Sequence, residues 1–133
     1  MKSGIELITE ERKRQIEKEG FDAEHDSQHD AGELAFAAIC YASPEPVFIL
    51  KDYSAMGQGF SFADPWPESW YDEWDKRLRT PGGKLCPNIN LHVKKRIRNL
   101  VKAGALISAE IDRLMKENEQ SGFPWIPGRG EKK

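Results

Sequence analysis

The stretch Glu24-His25-Asp26-Ser27-Gln28-His29-Asp30-Ala31-Gly32-Glu33 runs directly into Leu34-Ala35-Phe36-Ala37-Ala38-Ile39-Cys40-Tyr41-Ala42, and the reading of that junction decides the fold. A knot of carboxylates and imidazoles opens onto the most apolar run in the chain. Nine uncharged residues, four of them alanine, form a segment that only burial makes favourable. Its alanines let neighbouring helices approach from several sides. The spacing predicts a helix over 31–42, started by Asp30 with Glu33 in the manner of a capping box, or begun as early as Asp22, and ended by Pro44 and Pro46.

Working outward, residues 5–19 carry helical periodicity. Ser3 or Gly4 begins that helix and Gly20 stops it. Ile5, Ile8 and Ile16 fall on one face at about 100° per residue, with Glu6, Glu10, Lys13, Arg14 and Glu17 opposite. Arg12 and Glu19 project onto the isoleucine side, where a charge must be paired or must line a cavity. The longest helix is expected over 90–117, with Asn88 or Asn90 as its cap. Val93, Ile97, Leu100, Gly104, Ile107, Ile111, Leu114 and Met115 share its broad apolar face, and this face is expected to point inward. Arg96, Asn99, Ala103 and Glu110 run along its boundary.

Between these helices, 43–91 is rich in proline and tryptophan. Val47-Phe48-Ile49-Leu50 reads as a short strand or a buried turn, and Met56-Gly57-Gln58-Gly59-Phe60 as a loop. A short helix after Asp64-Pro65-Trp66-Pro67 would carry Trp66, Trp70 and Trp74 at spacings of four, as a satellite core or as a stacking surface. The expected fold is therefore all-α. It is a small helical bundle interrupted by an irregular insertion over 43–91, with a single domain over 1–122 and a strap and frayed tail over 123–133.

Composition narrows the function classes. The 133 residues carry a net charge of −2, without the basic surplus of a general nucleic-acid binder. No apolar run approaches the ~20 residues that span a bilayer, and the first residues lack the pattern of a secretion signal. The two cysteines, Cys40 and Cys86, make neither a metal quartet nor a disulfide framework. The expectation is a cytoplasmic protein.

If the second helix begins early, Asp26, His29 and Glu33 fall within an arc of about 60°, with His25 at its edge. Carboxylate, imidazole and carboxylate on one face form a partial shell for a divalent ion, Mg²⁺ or Mn²⁺, which Glu110 or Glu19 would complete. Glu33 and His29 are the candidate catalytic groups. Arg12, Lys95 and Lys102 are candidates to neutralise phosphates, with Tyr41 to stack on a base. Lys102 would do so only if a second subunit brought its outer face to the pocket. The competing reading keeps Asp30 and Glu33 as caps and His25 and His29 as loop residues bonded to backbone. A phosphate site without metal lies between the two.

Two blocks carry a resemblance. Ile8-x-x-Glu11-Arg12-x-Arg14-Gln15-Ile16-x-x-Glu19-Gly20 with His25-Asp26-x-x-His29-x-x-Gly32-Glu33-Leu34-Ala35-x-Ala37-Ala38-x-x-Tyr41-Ala42 is the first, and Arg98-Asn99-Leu100-Val101-Lys102-Ala103-Gly104-Ala105-Leu106-Ile107-x-Ala109-Glu110-Ile111-x-Arg113-Leu114 is the second. Together they resemble a family of small phage and prophage proteins. More distantly, the chain resembles the all-α nucleoside triphosphate pyrophosphohydrolases of the MazG type. In those proteins an acidic Glu-x-x-Glu helix faces a helix bearing Glu-x-x-Asp, and the carboxylates hold Mg²⁺ on the phosphates. That resemblance places Asp26, Asp30 and Glu33 in the first group and Glu110 in the second. This chain lacks Glu-Glu-x-x-Glu, and Arg113 stands three residues after Glu110.

The resemblance implies a nucleotide-binding protein that hydrolyses a (deoxy)nucleoside triphosphate with a divalent metal, working as a homodimer or tetramer. The rival class is a non-catalytic phage accessory protein that sequesters a nucleotide signal or blocks a host protein.

Overall fold

The computed structural model describes residues 1–20 and 31–120. Three helices pack together there: α1 (Gly4–Glu19), α2 (Glu33–Ala42) and α3 (Val93–Gln120). Between α2 and α3 lies a two-stranded antiparallel hairpin, β1 (Ile49–Asp52) with β2 (Phe60–Ala63), followed by the tryptophan segment. The purely helical expectation thus needs the hairpin added. Ile49 pairs with Ala63 and Asp52 with Phe60 across a turn in which Gly57 and Gly59 both take positive φ, a conformation glycine alone adopts freely. Val47 and Phe48 precede the strand rather than belonging to it.

Local chemistry explains the helix ends. The Ser3 hydroxyl accepts from the Glu6 amide while the Glu6 carboxylate accepts from the Ser3 amide, a complete capping box, and Gly20 closes α1 in the left-handed conformation. Helix α2 begins later than expected, after Gly32 (φ 84°) and without a side-chain cap. Asp30 and the earlier start near Asp22 lie outside the described residues. Helix α3 starts at Val93, where the His92 imidazole Nδ1 accepts from the Lys94 amide at 3.1 Å, and Asn88–Asn90 form a separate 3₁₀ turn before it.

The core lies where α2 meets α3. Leu34, Ala37, Ala38 and Tyr41 pack against Ala103, Leu106 and Ala109, with Trp70 covering one side. Alanine on both helices is what allows their backbones to close up, as the apolar run after Glu33 suggested. Asn88 locks the arrangement. Its amide nitrogen donates to the Tyr41 and Ser43 carbonyls at 2.9 and 2.7 Å, and its oxygen accepts from Asn99 at 2.7 Å.

Two expected faces are corrected. Helix α1 buries Glu11 and Gln15 with Ile8 half-covered, whereas Ile5 and Ile16 stay on the surface. The reason is local. Gly104 of α3 offers a notch that the Ile8 side chain fills, and arginines satisfy Glu11, so the helix is turned away from its isoleucine arc. On α3 the inward side is Asn99, Val101, Ala103, Ala105, Leu106, Ala109 and Arg113. The larger aliphatic stripe from Val93 to Met115 faces out, its members between 44% and 59% exposed apart from the half-buried Gly104.

The tryptophan segment is not an α-helix either. It is irregular chain with a turn in which the Trp70 amide donates to the Pro67 carbonyl and one 3₁₀ turn, Asp72–Trp74, yet its rings still converge. Trp66 meets Trp70 and Trp70 meets Trp74 edge to face, each with centroids 5.5 Å apart, and Tyr41 meets Trp66 at 6.0 Å. Pro65 and Pro67 have no amide N–H to give a helix, so ring packing sets this conformation. An ionic knot holds it in place. Arg77 donates to Asp75 and Asp64, Arg79 reaches Asp75, and the Arg77 guanidinium sits 5.5 Å from the Trp66 centroid.

Candidate functional site

A cavity of about 220 Å³ opens between α1, α2, α3 and the tryptophan segment. One wall is aromatic, formed by Tyr41, Trp66, Trp70 and Trp74; the other is polar, with Glu11, Arg14, Gln15 and Glu19 from α1 and Lys102 from α3, and Lys76 at the edge. The helix rotation that buries Glu11 is also what turns this polar row towards the tryptophans.

Glu11 anchors the polar wall. Its Oε1 accepts from Arg14 Nε at 2.9 Å and Arg98 Nη1 at 2.6 Å, and its Oε2 accepts from Arg14 Nη2 at 2.8 Å. Burial opposes ionisation of this carboxyl, but the hydrogen bonds and charges of Arg14 and Arg98 outweigh it and hold the group at about 2. Arg14 also donates to Glu19 at 3.0 Å. Lys102 stands 5.3 Å from the Tyr41 ring centroid, and burial together with the nearby Arg98 charge lowers its pKa. The Tyr41 hydroxyl accepts from the Lys76 amide at 2.9 Å, and burial pushes that phenol up to about 12. Cys40, behind the wall, is likewise pushed up to about 12 by burial and donates to Asp64, which makes it an inert thiol.

Two polar atoms in this lining have no hydrogen-bond partner among the described residues: the buried Gln15 Oε1 and the Trp66 indole Nε1. An unmet acceptor and an unmet donor, each shielded from water, are costly unless something else meets them. The charges are also unbalanced. Arg14, Lys76 and Lys102 face Glu11 and Glu19, and Arg98 adds a fourth cation from behind Glu11. The site therefore has the chemistry to take a flat ring against the aromatic wall and an anion at the basic edge.

The structure distributes the residues named from sequence unevenly. Tyr41 and Lys102 line the cavity, and Lys102 does so within one chain, without a second subunit. Arg12 is half-buried on α1 and Lys95 is exposed near the start of α3; neither lines it. Glu33 accepts from the Ala31 amide at 2.7 Å in the first turn of α2. Glu110 is engaged by Arg113 at 2.6 Å. Asp26 and His29, with His25, lie outside the described residues. Among the described residues no three His, Cys, Asp or Glu side chains converge as a metal shell would require.

Sequence reasoning did not single out Glu11, Gln15 or Lys76 for the site. Glu11 gave a usable signal, standing three residues before Arg14 so that one turn of helix pairs them. Lys76 gave none, because its place depends on the course of an irregular segment.

No described helix is long and apolar enough to cross a membrane. Comparison of the chain with protein-family models, with curated proteins and with solved structures gives no significant match.

Proposed function

We propose that this protein binds a nucleotide, with the base held against Trp66, Trp70 and Tyr41 and the phosphates at Arg14, Lys76 and Lys102. The observation that carries the reading is one cavity combining an aromatic wall, a basic edge, and the unmet Gln15 Oε1 and Trp66 Nε1. An unmet donor and an unmet acceptor within one lining are the kinds of group that the hydrogen-bonding edge of a nucleobase complements. The volume supports the same division. About 220 Å³ is below the ~300 Å³ typical of a site that swallows a drug-sized ligand, so a ring system fits inside while phosphates stay at the mouth. An anion beside Lys102 would favour its charged form, opposing the effect of burial.

Binding rather than turnover is the function the cavity supports best. Both oxygens of its central carboxylate are already taken by arginines, which leaves Glu11 poorly suited to a metal. Hydrolysis would need Asp26 and His29, with Glu33 and Glu110, to gather Mg²⁺ or Mn²⁺ beside the phosphates. Sequestration of a nucleotide needs neither.

Titration of the tryptophan fluorescence with nucleoside mono- and triphosphates, in EDTA and then in Mn²⁺, tests this. Quenching in EDTA that weakens with salt, and weakens at least about tenfold in Lys102→Met, is the expected result. Absence of a response to any nucleotide, or equal affinity for the phosphate-free nucleosides, would overturn it. Pyrophosphate release confined to the Mn²⁺ arm would assign turnover as well.

A further inference from the structure

Seven residues of α3 follow alternating steps of four and three over most of the helix: Val93, Ile97, Leu100, Gly104, Ile107, Ile111 and Leu114. That is the repeat of a coiled-coil seam, sustained for three heptads. In a single chain the seam is only partly covered: Ile8 sits at Gly104, α1 flanks Ile97 and the end of α2 flanks Leu100, while Val93, Ile97, Leu100, Ile107, Ile111 and Leu114 are each about half exposed. Ile5 and Ile16 of α1 are also left on the surface. A continuous row of six half-exposed aliphatic side chains is the kind of apolar surface that marks an interaction site.

The charge pattern names the occupant. From Val93 to Gly104, α3 carries Lys94, Lys95, Arg96, Arg98 and Lys102 and no acid, whereas from Ala105 onward four acids outnumber two basic residues. A parallel copy would set the two basic halves side by side. An antiparallel copy sets each basic half beside an acidic one. With Ile97 layered on Ile107 of the other copy and Val93 on Ile111, the basic first half of each α3 runs along the acidic second half of the other. An antiparallel arrangement is also two-fold symmetric, so the same patch serves both chains and the assembly closes.

We propose that α3 pairs with α3 of a second copy along this seam, antiparallel, to form a homodimer. The pairing surface lies away from the aromatic cavity and does not depend on what binds there.

Sedimentation of the full-length protein over a range of concentrations tests the pairing. A dimer is expected, converted to monomer by Ile107→Lys. Because Ile107 is exposed, that variant keeps the wild-type circular dichroism spectrum of a folded chain. Orientation is read by disulfide trapping in a Cys86→Ser background. Val93→Cys mixed with Ile111→Cys gives a covalent dimer, and Val93→Cys alone does not, because its two copies lie roughly 27 Å apart at 1.5 Å per residue. A monomer at every concentration, a dimer indifferent to Ile107→Lys, or efficient self-trapping of Val93→Cys would each overturn the proposal.

Discussion

Glu11 shows how one side chain couples stability to the site. A carboxylate this deeply buried survives only because Arg14 grips it in a fork and Arg98 closes on it from α3. Its folded pKa, about 2, lies below the ordinary value of an unfolded glutamate near 4.3. A depressed carboxylate contributes stability that is present above the unfolded value and lost as pH falls through the folded one. Stability should therefore decline from about pH 4.5 towards pH 2, with a contribution on the order of 3 kcal/mol. Urea melts across that range should show the decline in the wild type and a flatter acid limb in Glu11→Gln, which is already weaker at pH 7. Equal acid limbs would mean that another group controls it. Legibility at this scale was partial: the Arg12 and Glu19 charges stood out against an isoleucine stripe, while the carboxylate that matters is the neighbour of Arg12, marked only by Arg14 three residues on.

Among elements, the contact of α1 with α3 rests on a missing side chain. A Cβ built on Gly104 would lie 2.5 Å from Ile8 Cδ1 and 2.8 Å from Ile8 Cγ1. Two opposing effects follow from Gly104→Ala. Helix propensity favours alanine by about 1 kcal/mol, and overpacking costs about 1–3 kcal/mol. The clash involves Cγ1 as well as the mobile end of the isoleucine, so the second effect prevails and urea denaturation should show a net loss of about 1 kcal/mol. Combining Gly104→Ala with Ile8→Ala should remove the clash penalty, leaving the propensity gain visible against Ile8→Ala alone. Both ends of α1 and the end of α2 were readable at this scale because Ser3 with Glu6, Gly20 and Pro44 are local signals that need no knowledge of the rest of the chain, whereas the starts of α2 and α3 carried no such cap. The conformation around the tryptophans was not, since ring stacking and the Arg77 ion pairs join residues whose proximity no spacing announces.

For the whole molecule, the periodicity of α3 was plain in the sequence and its orientation was not. A stripe of isoleucine and leucine states that something covers it; it does not state whether the cover comes from the same chain. Inside the chain that role fell to the alanines of α2 and α3, which pack more closely than branched side chains allow. If a second copy supplies the outer cover, the melting temperature should rise with protein concentration, because association removes only folded chains from the equilibrium. Ile107→Lys should abolish that dependence, which scanning calorimetry at two concentrations would register. Of the expected metal constellation only Glu33 and Glu110 lie among the described residues; each holds a local partner, and the aromatic cavity draws on other residues.

Asn88 gives the long excursion between α2 and α3 an unusual property. Its amide holds the carbonyls of Tyr41 and Ser43, and the Ile89 amide donates to the Pro44 carbonyl, so the chain leaves and re-enters the helical frame at one doorway. Hairpin and tryptophans thus form an insertion whose two ends meet at one doorway, with Trp70, Lys76 and Asp64 tying its interior to the helices. Length changes in the exposed β1–β2 turn can therefore be absorbed without moving α2 relative to α3, whereas changes in the tryptophan stretch alter the core and the pocket together.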